Sequence, residues 1–166
     1  MTRIVAKRST RASRPRRPAD TPARATDNAG VRYIESSALV AALLERDAAA
    51  LKSVRTRGRQ VTSALTIAEA ARAILRARAG ARLTADEERA AVRALRRFER
   101  RSHVVAVTDA VLARVRRPFP VEPIRTLDAV HLATAELLDE PPQLMTVVTR
   151  DARVRDNARA LGYAVE

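Results

Sequence analysis

The sequence predicts an α/β fold, with a parallel sheet covered by helices on both faces. Three observations carry this reading. From residue 31 onward, short apolar runs of strand character alternate with longer stretches of helical periodicity. Residues that start and stop helices punctuate the alternation. Acidic residues recur just after the strand-like runs, on the edge where open parallel sheets bind their ligands. Strands separated by helices require crossover connections, and these place helices on the two faces of the sheet.

The elements follow in order. Val31-Arg32-Tyr33-Ile34 reads as a short strand, and Ser36 to about Arg46 as a helix with Leu39, Leu43 and Leu44 at helical spacing. A second helix covers Asp47–Thr56 and stops before Gly58, and Gln60–Ser63 is the second strand. Thr66–Ala79 is helical, with Ile67, Ala70, Ala71, Ile74 and Leu75 on one face, and stops at Gly80. Thr84–Arg100 is a further helix. Val104–Val107 is an apolar strand, preceded by His103, and Thr108–Arg116 is a short helix. Pro118, Pro120 and Pro123 mark a loop. Thr126–Leu138 is helical, Met145–Thr149 is a strand, Asp151–Leu161 is the last helix, and Tyr163–Val165 adds an edge strand.

Residues 1–30 differ from the rest. Eight basic residues face two acidic ones, three prolines interrupt any helix, and large apolar residues are scarce, so the segment reads as a disordered basic arm. Across the chain Lys and Arg total 32 against 19 Asp and Glu, a net charge of +13. That balance favours a polyanion, above all nucleic acid, and it suits an acidic protein partner as well. The four aromatics Tyr33, Phe98, Phe119 and Tyr163 do not interleave with a basic stripe, which argues against a base-stacking platform. There is no cysteine, so disulfides and thiolate metal sites are excluded, in keeping with a cytoplasmic setting. No apolar run reaches membrane-spanning length and no secretory signal is evident. The glycines form no phosphate-binding loop.

Four acids stand where strands end. Glu35 follows the first strand, Glu69 is expected in the first turn after the second, Asp128 in the first turn of the helix that opens at Thr126, and Asp151 just beyond the fourth strand. Packed together, such carboxylates remain charged only around a cation, and oxygen ligands point to Mg²⁺ or Mn²⁺. Each acid also has a plain structural explanation. Acids are favoured at helix N-termini, Thr66-Ile67-Ala68-Glu69 reads as a capping box, as does Thr84-Ala85-Asp86-Glu87, and Asp151 has the placement of an N-cap. His131 shares a helix face with Asp128 and is expected to be packed and hydrogen-bonded. Asp156 and Asn157 are expected on a solvated face. Arg150, Arg153 and Arg155 flank the site as candidate RNA-phosphate binders.

At these residues the chain resembles the PIN-domain family, and its VapC toxins in particular. Tyr33-Ile34-Glu35-Ser36-Ser37-Ala38-Leu39-Val40 is similar to the family's opening motif, and Thr62–Ala70 to its second, which supplies Glu69. Leu127-Asp128-Ala129-Val130-His131-Leu132-Ala133-Thr134-Ala135 is similar to the third, and Val148–Val154 to the fourth, where Thr-x-Asp supplies Asp151. The resemblance covers residue 31 to the end. It implies a three-layer α/β/α PIN-like fold with a central parallel sheet of about five strands, and a nuclease domain over 31–166. It implies a Mg²⁺- or Mn²⁺-dependent endoribonuclease, the toxin of a type II toxin–antitoxin (VapBC) pair. It further implies an RNA substrate, a homodimer and a VapB-type antitoxin. Glu35, Glu69, Asp128 and Asp151 would be catalytic, with Glu35, Asp128 and Asp151 on the metal. Ser37 would support the first acid and Thr149 the last. The family usually has aspartate where this chain has Glu35. The extra methylene moves the carboxylate by roughly 1.5 Å. Two other readings fit parts of the pattern: a non-catalytic PIN-like RNA- or DNA-binding protein, and a basic protein whose arginines meet an acidic partner.

Overall fold

The structure, a computed structural model, describes residues 30–45 and 47–166. The expected basic arm falls on residues 1–30, of which 1–29 lie outside the described residues. Strands β1 (Val31–Ile34), β2 (Arg59–Ser63), β3 (His103–Val105), β4 (Met145–Val148) and β5 (Ala164–Val165) form one sheet in the order β3-β2-β1-β4-β5, and every pairing is parallel. Helices α1 (Ser36–Leu44), α2 (Ala48–Arg55), α3 (Ala64–Ala79), α4 (Ala85–Arg101), α5 (Asp109–Val115), α6 (Thr126–Glu136) and α7 (Ala152–Ala160) make the crossovers, with a 3-10 turn at Pro142–Leu144 ahead of β4. Among these elements, no helix is long and apolar enough to cross a membrane.

Successive strand residues point to opposite faces, so each strand feeds two cores. Val31, Tyr33, Met145 and Val147 pack on one face with Val111 of α5, Leu132 and Ala133 of α6, and Val154 and Ala158 of α7. Ile34 and Val148 pack on the other with residues of α1 to α4, among them Leu39, Ile74, Leu95 and Phe98. This is the expected three-layer α/β/α arrangement. β1 is buried along its whole length, as a central parallel strand should be. The chain runs from β1 to β2 and β3 on one side, then crosses back from β3 to β4 on the other side of β1. The order of strands therefore reverses at β1 and β4, and the crevice beyond their carboxyl ends is the natural ligand site.

Element ends differ from the sequence expectation for identifiable reasons. α3 starts at Ala64, because Ser63 accepts the Leu65 amide and caps the helix. Thr66 is consequently inside the helix and buried, and Glu69 lies in its second turn, so the expected capping box at Thr66–Glu69 does not form. The box at Thr84–Glu87 does form. α3 stops at Gly80 as expected, but the left-handed residue is Ala81 (φ 55°), one position later. β3 covers His103–Val105 rather than 104–107, so His103 is a strand residue, and it is exposed. α7 ends in a Schellman turn. Gly162 (φ 89°) donates to the Arg159 carbonyl at 3.0 Å, and Tyr163 donates to the Ala158 carbonyl at 3.0 Å. That turn reverses the chain into β5.

Beyond β5 the backbone keeps pairing, with the Thr149 amide donating to the Glu166 carbonyl at 2.9 Å. The Glu166 side chain takes both arms of buried Arg32, at 3.1 and 2.6 Å, while Arg32 also donates to the Ser53 carbonyl at 3.1 Å. Hydrogen bonds from Arg32, opposed by burial and aided by the guanidinium charge, hold the Glu166 carboxyl below its ordinary value of 4.5. A carboxyl whose folded pKa is depressed stabilises the fold fully above its unfolded value, and that contribution disappears as pH falls through the folded pKa. Glu166→Gln is therefore expected to be less stable than wild type at pH 7, with the difference shrinking below about pH 4.5. Chemical denaturation across pH checks this, and a gap that stays constant on acidification would contradict it. Because Glu166 is about half exposed, the effect is a fraction of that for a fully buried ion pair.

Candidate active site

Glu35 occupies the position between β1 and α1. Its backbone is extended (φ −88°, ψ 159°), which turns the chain from strand to helix, and its carboxylate reaches forward over the first turn of α1. Both oxygens accept the Ser37 amide at 3.0 Å. Oε1 accepts the Ser36 hydroxyl at 2.6 Å, and Oε2 accepts the Ser37 hydroxyl and, at 2.8 Å, the Thr149 hydroxyl. The residue is 3% exposed. A buried carboxylate is tolerable when donors surround it, and here four groups do so.

The same hydroxyls join the ends of β1 and β4. Ser37 Oγ has a single proton, which goes to Glu35, and its lone pairs accept the Arg150 amide at 2.8 Å and the Asp151 amide at 3.1 Å. Thr149 Oγ1 likewise donates to Glu35 and accepts the Asp151 amide at 3.1 Å. Ser37 and Thr149 thus fix the backbone that presents Asp151 against the acid of β1. Asp151 is the N-cap of α7, its Oδ1 accepting the Arg153 and Val154 amides at 2.7 and 3.2 Å.

Glu69 and His131 face each other from α3 and α6, with Nε2 2.8 Å from Glu69 Oε2 and 3.7 Å from Glu35 Oε1. His131 is 1% exposed, and its Nδ1 lies 3.3 Å from the Tyr33 hydroxyl, so it is packed and hydrogen-bonded as expected. Burial pushes the Glu69 carboxyl up. The hydrogen bond from His131 and the nearby positive charge outweigh it and hold the group low. Asp128, in the first turn of α6, has the opposite situation. Burial and the negative charges of Asp151 and Glu35 push its carboxyl above the usual range. Its Oδ2 is buried with no hydrogen-bond partner.

Glu35 and the backbone of Asp151 are joined through Ser37 and Thr149 at the ends of β1 and β4, Glu69 is linked to Glu35 by His131, and Asp128 feels the charges of Asp151 and Glu35. Among the described residues, the acid and imidazole groups near enough to share one ion are those of Glu35, Glu69 and His131, with ligand atoms within 4.8 Å of one another. The sequence-based metal set of Glu35, Asp128 and Asp151 did not include the imidazole. Its only signal in the sequence was the three-residue spacing from Asp128. The flanking arginines divide. Arg150 is held by Asp47, the N-cap of α2, at 3.1 Å, whereas Arg153 is exposed and Arg155 partly so. Asp156 is exposed, as expected. Asn157 is not on a solvated face: it is buried, donating to the Val121 and Arg153 carbonyls at 2.8 and 3.1 Å and accepting the Val121 amide at 2.9 Å. It fastens the proline-rich loop to α7.

The fold and the pocket together define a doubly covered parallel α/β protein with a carboxylate cluster at its topological switch point. The model of the PIN domain matches residues 32–160. The chain is 39% identical over 135 residues to Ribonuclease VapC46 of Mycobacterium tuberculosis (strain ATCC 25618 / H37Rv), covering 80% of this chain and 94% of the relative. It is also 39% identical over 141 residues to Ribonuclease VapC35 of Mycobacterium tuberculosis (strain CDC 1551 / Oshkosh), covering 80% and 93%. The chain belongs to the PIN-domain family, and within it to the VapC type. In fold it resembles VapBC2 from Rickettsia felis bound to a DNA fragment from their promoter, with a TM-score of 0.56, 13% identity, and 82% of this chain and 97% of that one covered.

Proposed function

We propose that residues 31–166 form a metal-dependent endoribonuclease domain, the toxin of a VapBC-type pair, hydrolysing RNA phosphodiester bonds. The observation that carries this reading is the buried, partnerless Oδ2 of Asp128, in a pocket that already holds the Glu35 and Asp151 carboxylates. A pocket with this surplus of negative charge fits a divalent cation, and its oxygen-rich donor set fits Mg²⁺ or Mn²⁺. Glu35 would hold the ion with Asp128 and Asp151, which would have to close on it from α6 and α7, and Glu69 would complete the acid set. When bound, such an ion supplies an acidified water and positive charge against the reacting phosphate. The chain's own part is placement: Ser37 and Thr149 hold Glu35 and the backbone of Asp151, while exposed Arg153 and half-buried Arg155 stand where an RNA backbone would pass. Arg150 would contact RNA only by giving up Asp47. The VapB-type antitoxin belongs to the same reading, supported by relatives named VapC and by the likeness to a VapBC structure, and the homodimer is part of the proposal.

The test is RNA cleavage by the purified protein with Mg²⁺, with Mn²⁺ and with chelator. Cleavage is expected with either ion and is expected to fall at least about 100-fold when metal is withdrawn. Cleavage that proceeds equally in chelator, or salt-sensitive RNA binding with no cleavage under any ion, overturns the proposal.

A further inference from the structure

His131 is the pocket side chain that the ribonuclease reading leaves without a task. Resting on the metal site of that reading, we propose that His131 is itself a metal ligand, giving Nε2 beside one oxygen each from Glu35 and Glu69. This nitrogen makes the site prefer transition ions such as Mn²⁺ over Mg²⁺.

The first ground is geometry. Nε2 lies 2.8 Å from Glu69 Oε2 and 3.7 Å from Glu35 Oε1, and the three ligand atoms all fall within 4.8 Å of one another. Neighbouring ligands on an ion with bonds of about 2.1 Å sit about 3 Å apart, so small movements suffice to admit one.

The second ground is orientation. A metal-bound histidine donates its other ring N–H to an oxygen, which fixes the tautomer and aims the lone pair. In the metal-free molecule Nε2–H donates to Glu69; with that proton displaced by an ion, the remaining N–H would sit on Nδ1, facing the Tyr33 hydroxyl 3.3 Å away, and the two rings meet edge-on, with centroids 6.4 Å apart and planes at 66°. Tyr33 is itself buried in β1, so the imidazole is held from behind with Nε2 facing the acids.

The third ground is charge. Glu35 has its four donors and Glu69 has His131, but the buried Asp128 oxygen close by has no donor, and a doubly charged ion would answer that surplus of negative charge. An oxygen-only pocket suits Mg²⁺, and replacing one oxygen by imidazole shifts preference toward borderline transition ions.

The experiment reads the metal's ligands directly. Mn²⁺ is added to the untagged protein and its electron-spin-echo modulation is recorded, with Mn²⁺ and Mg²⁺ affinities measured in parallel by titration. Nitrogen modulation is expected in wild type and in His103→Gln, which removes the chain's other histidine, and is expected to vanish in His131→Asn. Mn²⁺ affinity is expected to fall at least about 10-fold in His131→Asn, with Mg²⁺ affinity changing several-fold less. The wild-type spectrum stands even if the variant fails to fold. Bound Mn²⁺ without nitrogen modulation overturns the ligand role of His131 and leaves a carboxylate metal site intact. No Mn²⁺ or Mg²⁺ binding overturns this inference and the metal-dependent reading together.

Discussion

Asp128→Asn is expected to abolish metal-dependent RNA cleavage and, at the same time, to raise the melting temperature of the metal-free protein. The two effects have one cause. Asp128 has a buried oxygen without a partner, and its carboxyl is pushed up by burial and by the charges of Asp151 and Glu35. Without an ion, a charge there has an unfavourable setting, and the amide removes it while keeping the shape. A gain of about 1 kcal/mol, or about 2–4 °C, is the expected scale. With an ion, the same change deletes a negative ligand, and cleavage should fall at least about 100-fold. Thermal unfolding in chelator and a cleavage time course check the two halves. A variant that cuts normally removes Asp128 from the site, and one that melts lower in chelator removes the charge argument.

Glu35→Gln is expected to behave in the opposite way for stability while also losing cleavage. Glu35 is satisfied: the Ser36, Ser37 and Thr149 hydroxyls and the Ser37 amide all donate to it. An amide offers one acceptor oxygen where the carboxylate offers two. It cannot put its NH₂ toward Ser37, whose lone pairs already accept the Arg150 and Asp151 amides. Loss of charge-assisted bonds in a buried setting costs about 1–3 kcal/mol. Two acids of one pocket should therefore move stability in opposite directions on the same isosteric change. Equal shifts for both variants in chelator would show that the donors around Glu35 do not stabilise the fold.

The order of the elements was readable from local signals. Short runs of strand character marked β1 and β4, and Gly58 and Gly80 marked helix ends. What misled was local ambiguity. Thr66-x-x-Glu69 has the form of a capping box, but Ser63 is also a capping residue and comes first, so α3 begins earlier and carries Glu69 one turn further along. Asn157 lies among charged residues in the sequence, and nothing there shows that a loop 36 residues away takes its amide. The acids were legible because strand ends share one edge of a parallel sheet. The contacts between them were not. His131 meets Glu69 across 62 residues, and Arg150 meets Asp47 across 103, and both distances are closed only by tertiary packing.

The position of β4 beside β1 has a consequence for how the protein is made. Thr149 and Glu35 are in contact yet 114 residues apart. A nascent chain emerging from the ribosome can dock β2 on one side of β1 early, but the other side stays unpaired until β4 has been translated, some way beyond β3. Such long-range closure is slow and comes late. Products stalled before β4 therefore carry Glu35 and Glu69 without Asp151, and the acid beyond β4 joins the other two only after the crossovers that precede it have been made.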